Sequence, residues 1–78
     1  MEKKKRYFVH VDTYILYESA KRALLTLIAR GYEPSLIKRD VSYQVHLGNF
    51  TDMEQANKLA YKLRDYGFYK CCVGVTEE

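Results

Sequence analysis

Apolar and polar residues alternate over residues 6–12, "RYFVHVD", with Val9 and Val11 in one phase and Phe8 and His10 in the other. Period-two alternation of β-branched and aromatic residues predicts a half-buried strand. The spacing then changes. Ala20, Ala23, Leu24, Leu27 and Ile28 recur at intervals of 3 and 4, which places them on one face of a helix. Gly31 follows, where a left-handed residue ends a helix at little cost. A second strand is predicted over Glu33–Lys38. After the short polar connection "KRDVS" (residues 38–42), the series begins again. Residues 42–48 alternate, Met53, Ala56, Leu59, Ala60 and Leu63 share a helical face, Gly67 ends it, and Tyr69–Val75 reads as a strand. Thr51 with Glu54 has the spacing of a capping box at the second helix start.

The recurrence has a fixed offset. Shifted by 36 residues, the chain aligns with itself without a gap. Tyr7 meets Tyr43, Val9 meets Val45, His10 meets His46, Leu27 meets Leu63 and Gly31 meets Gly67. Two such copies are too few and too long for a solenoid, so they predict a pseudo-twofold domain. The half-repeats run over 6–37 and 42–73, inside a folded domain of 6–76 preceded by a basic, disordered tail of 1–5.

The predicted element order is βαββαβ. Right-handed crossovers then put both helices on one face of a four-stranded antiparallel sheet, an α+β fold of ferredoxin-like topology. The first and third strands are expected side by side in the centre, with His10 and His46 as neighbours on parallel strands. Val9, Val11, Val45 and Leu47 share a phase and should pack under the helices. Phe8, His10, Gln44 and His46 take the other phase and line the open face, joined by Ser42. On the last strand Cys71, Val73 and Val75 are expected inward, with Lys70 and Cys72 outward. Pro34 suits an edge strand, where a missing amide costs little.

Composition changes this picture little. A chain of 78 residues with 47% hydrophobic and 29% charged residues is one small globular domain. No apolar run approaches the ~18 residues of a membrane helix, and "EKKKR" after Met1 is no secretory leader, so the chain is read as soluble. The net charge of +3 is concentrated in "KKKR", read as a solvated terminus. Cys71 and Cys72 are adjacent, point to opposite faces of a strand and form no disulfide framework.

At this level of detail the chain resembles a known family. "YFVHVDTY…AKRALLTLIARGYEPSLI" followed by "YQVHLGNFTDMEQANKLAYKLRDYGF" is similar to the SPOR domain, the sporulation-related repeat, over about residues 6–75. The resemblance implies binding rather than catalysis. It implies peptidoglycan as the ligand: glycan strands stripped of stem peptides, laid across the open sheet face. It also implies a cell-wall amidase or divisome proteins as further partners, and the septum or spore wall of a bacterial envelope as the location. Residue by residue, the family's strand-one Gln falls on His10 and the following Ser on Thr13. Third-strand contacts fall on Ser42 and Gln44, and a fourth-strand apolar contact on Cys72. With Phe8 and His46 these make up the expected glycan-binding set. This chain departs from the family pattern at His10, at Asp12 in place of Gly, at Gln44 in place of a frequent Arg, and at His46. Gln, His, Ser and Thr still supply donors and acceptors for sugar hydroxyls, and Phe8 supplies an apolar surface.

Other chemistries fit less well. His10, His46 and Cys72 offer a zinc-ligand set with an open position. Only Asp12 is at hand to orient it, so no metal and no cofactor are assigned. A Cys–His nucleophile pair needs an orienting third group and a pocket, which a flat sheet lacks. The eight tyrosines and three phenylalanines invite an RRM-like reading, since that fold stacks bases on sheet aromatics. "SYQVHLGN" does not match the RNP1 octamer, and Phe8 is a single outward aromatic, which argues against nucleic acid. A small assembly or regulatory module needs no distinctive residues and stays as the other alternative.

Overall fold

The computed structural model describes residues 5–77; of Glu77 it describes the backbone. The elements are β1 (Lys5–Tyr14), α1 (Tyr17–Ala29), β2 (Pro34–Lys38), β3 (Tyr43–Phe50), α2 (Met53–Asp65) and β4 (Cys72–Glu77). They form one antiparallel sheet of order β2-β3-β1-β4, with both helices packed on one of its faces. This is the α+β ferredoxin-like architecture expected. Residues 1–4 of the expected tail lie outside the described residues, while Lys5 already pairs with Glu77 in the sheet.

One expectation about the sheet is corrected. β1 and β3 are adjacent but antiparallel. The crossover through α1 leaves β1 and β2 parallel. β3 returns from β2 through a tight turn, closed by the Arg39 amide donating to the Ser42 carbonyl at 2.8 Å, and so opposes both.

The core follows the alternation. Val9, Val11, Val45 and Leu47 are buried beneath Ala20, Ala23, Leu27, Ala56, Ala60 and Leu63. Alanines beneath each helix let the backbone sit close to the sheet. Leu27 and Leu63, equivalent in the two repeats, are fully buried. Ile28 and Met53, placed on the apolar faces by spacing, are about half exposed (50% and 52%) because each sits at a helix end beyond the packed middle. On β4, Cys71 just before the strand is buried and Val73 packs on the core. Val75 is 55% exposed, on an edge strand that pairs on one side only.

Both helices end in the same motif. The Gly31 amide donates to the Ile28 carbonyl and the Tyr32 amide to the Leu27 carbonyl, at 3.0 and 3.1 Å. Gly67 and Phe68 repeat these bonds with Arg64 and Leu63, both at 3.1 Å. This Schellman pattern needs a positive φ at the glycine, and Gly31 and Gly67 hold φ of 91° and 103°. Tyr32 and Phe68 then fold onto the core beside Leu27 and Leu63. The start of α2 differs from expectation. Asp52, not Thr51, is the cap, its carboxylate accepting from the Glu54 amide at 3.0 Å. The helix begins one residue too late for a Thr51 box.

Truncating either buried leucine leaves a cavity that a core this thin cannot close. Leu27→Ala and Leu63→Ala are each expected to cost about 2–5 kcal/mol. Urea denaturation of the two variants checks this, and near-equal losses would reflect the twofold repetition of the core.

Candidate functional site

The face opposite the helices carries the residues of the other phase. The register sets them in a row: Ser35 opposite His46, His46 opposite His10, and His10 opposite Cys72. The two histidines are equivalent in the repeats and face each other where the pseudo-twofold axis passes between β1 and β3.

A bulge on each strand completes the face. The register of β1 against β3 shifts between His10 and Asp12, and again between Tyr7 and Val9. The first shift inserts an extra residue in β1 near Asp12. The second inserts one in β3 near Gly48, which is 36 positions later. A bulge reverses the alternation beyond it. Thr13 therefore turns to the open face with His10, while Tyr14 turns to the core; on β3, Phe50 does the same. Gly48 reaches its bulge with a φ of 87°. Asp12, in the equivalent place, has no positive φ, and its carboxylate accepts from the Thr13 amide at 2.7 Å.

Four side chains are linked across the strands. His46 Nε2 lies 3.2 Å from Gln44 Oε1 and 3.0 Å from His10 Nδ1; His10 Nε2 lies 3.0 Å from Thr13 Oγ1. Gln44 Oε1 accepts only, so His46 Nε2 carries the hydrogen and shares it with His10 Nδ1. His10 Nε2–H then donates to Thr13. Adding a proton to His10 Nδ1 would set two N–H groups against each other. Phe8 stacks on the other side of His46, with ring centroids 4.5 Å apart and planes at 21°. Phe8 also lies over Gly74, its partner on β4, where a Cβ would collide with the ring. Beside Phe8 and His46 runs an open groove of about 340 Å³, to which Arg6, Ser35, Arg39 and Asn49 contribute.

Of the residues named from sequence, Phe8, His10, Thr13, Gln44 and His46 come together. Cys72 stands next to His10 with its thiol free and exposed. Ser42 does not join them; it precedes β3 and its carbonyl closes the turn with Arg39. Arg39 and Ser35 were missed. The alternation of β2, which puts Ser35, Ile37 and position 39 on the open phase, was the signal available for them. Among the described residues no group of three or more His, Cys, Asp or Glu is arranged to hold a metal ion. Among the described residues, too, no helix is long and apolar enough to cross a membrane. Burial pushes the Cys71 thiol up to about 11, against the opposing pull of Arg64, which leaves it protonated and inert at neutral pH.

The SPOR domain model matches residues 3–73, nearly the whole chain. This chain belongs to the SPOR family. Its fold is also that of the peptidoglycan binding domain of the B. subtilis cell wall lytic enzyme CwlC, known from a solution structure. That domain has a TM-score of 0.75 and 20% identity to this SPOR domain, covering 100% of this chain and 95% of that one. Comparison with curated protein sequences gives no match.

Two outcomes test the geometry of the row. Burial first, then His10 and Arg39, hold His46 below its usual 6.5. An unfolded chain therefore binds this proton before the folded one does. The contribution of His46 to stability is full above about pH 6.5 and falls as pH drops toward its lower folded value. Denaturant titrations between pH 7.5 and 5.5 should show that fall, and His46→Gln should flatten it; an unchanged slope in the variant would refute the assignment. Gly74→Ala should push the Phe8 ring off His46 at a cost of about 1–3 kcal/mol, read from ring-current shifts of the His46 protons together with a thermal melt.

Proposed function

We propose that this SPOR domain is a non-catalytic peptidoglycan-binding module and that its open sheet face takes glycan strands lacking stem peptides. The observation that carries the reading is the linked row Gln44–His46–His10–Thr13 beside the Phe8–His46 stack. A pyranose presents hydroxyls and amides at its rim and C–H groups on its faces. The row answers the first with fixed donors and acceptors, and the stack answers the second with a flat apolar surface. Because the side chains already hold one another in place, little rotamer entropy is lost when a sugar docks. Family membership and the likeness to the CwlC domain support the same ligand class. Such a module would bring an attached protein to the septum or developing spore wall, where amidases strip the glycan; amidase or divisome partners belong to this proposal. Nothing on the face is organised as a nucleophile with its base, so no catalytic role is assigned.

Co-sedimentation with purified sacculi, untreated and amidase-treated, tests the proposal. Binding should rise after stripping. His10→Ala with Gln44→Ala removes two hydrogen-bonding side chains, at ~0.5–1.5 kcal/mol each. The double variant should bind stripped sacculi roughly tenfold more weakly or worse while keeping its far-UV spectrum. Undiminished binding would place the ligand elsewhere on the domain.

A further inference from the structure

The groove beside the Phe8–His46 stack is distinct from the polar row. Its lining runs across the sheet, from Ser35 and Arg39 at the β2 side past His46 and Asn49 of β3 to Arg6 of β1 and Thr76 of β4, and of the row it shares only His46. Its volume of about 340 Å³ is at the small end of ligand sites. Its chemistry is unlike the row's. The row is built of imidazole, amide and hydroxyl groups, whereas the groove is lined by the guanidinium-bearing Arg39 and Arg6 together with Ser35 and Asn49. Arg39 follows Lys38 at the end of β2 and lines the groove together with His46. Its field falls on His46, where it ranks after burial and His10 among the influences that disfavour the imidazolium. Arginine differs from lysine in presenting a planar fork of donors that matches a carboxylate.

We propose that this groove is a subsite for a carboxylate-bearing sugar, in which Arg39 takes the carboxylate and the Phe8–His46 stack carries the ring. The inference rests on the peptidoglycan reading and sharpens it. In peptidoglycan the stem peptide is joined through an amide to the lactyl side chain of each muramic residue. Hydrolysis of that amide leaves a free carboxylate in its place. A cationic groove next to a sugar platform thus gives a positive reason to prefer stripped glycan, beyond the removal of a bulky peptide. It also supplies a cation to the face although Gln44 stands where the family often has Arg. Arg39 is the specificity-determining residue in this account; its side chain is exposed and outside the core.

Three soluble probes separate the possibilities: stripped glycan oligomers with free lactyl carboxylates, the same oligomers with those carboxylates capped as methylamides, and neutral N-acetylglucosamine oligomers. The wild-type domain should bind the carboxylate form about fivefold more tightly than the capped form, the scale of one exposed charge pair. Raising salt from about 50 to 300 mM should erode that preference, because exposed pairs are screened. In Arg39→Gln the ratio of the two affinities should fall toward one, with an unchanged thermal melt as the folding control. Equal binding of free and capped forms by the wild-type domain would overturn the carboxylate subsite and leave glycan binding intact. A ratio unaltered in Arg39→Gln would overturn the assignment to Arg39. Failure to bind any of the three probes would overturn the glycan reading itself, and the subsite with it.

Discussion

The antiparallel contact of β1 with β3, with His10 opposite His46, is the constraint on which the rest of the molecule depends. It sets the two copies of the repeat face to face about a pseudo-twofold axis. Once that register holds, Val9, Val11, Val45 and Leu47 form one patch beneath the helices, and a slip by one residue would turn them to solvent. The same register brings the two imidazoles within 3.0 Å on the opposite side. Core and candidate site are therefore two faces of one pairing, and burial on the inner face is what holds the polar row on the outer face in place.

The bulges explain how a sheet of strict alternation offers a continuous polar row. Without the extra residue near Asp12, Thr13 would point into the core and Tyr14 out of it. With it, Tyr14 packs inward and the Thr13 hydroxyl accepts from His10. The paired bulge near Gly48 turns Phe50 inward in the same manner. At these two equivalent places glycine and aspartate reach similar pairing by different means. One uses a positive φ; the other has a carboxylate accepting from the next amide.

For a SPOR domain, this face divides its labour. Imidazoles bridged to Gln44 and Thr13 offer fixed hydrogen-bonding directions. The exposed Arg39 at the groove offers charge in the proposed subsite. Partial burial first, then His10 and Arg39, favour the uncharged form of the His46 ring. On the proposed reading, hydrogen-bond geometry and electrostatic selection are carried by different side chains of one face.

Much of this was legible in the chain. The period of the apolar residues gave the elements and the inward set, because burial acts on each residue according to its phase. The repeat at an offset of 36 gave the pseudo-twofold topology, and Gly31 and Gly67 marked the helix ends because the backbone there needs a positive φ. The opposed direction of the central strands, the true cap at Asp52, the reversal of phase at the bulges and the lining of one groove by Arg39 and His46 were not legible. Sequence alone determined what each segment is and which way most of it faces, since those follow from local spacing and solvent. Tertiary structure decided which atoms meet, since register and side-chain reach arise from pairing between strands that are distant in the chain.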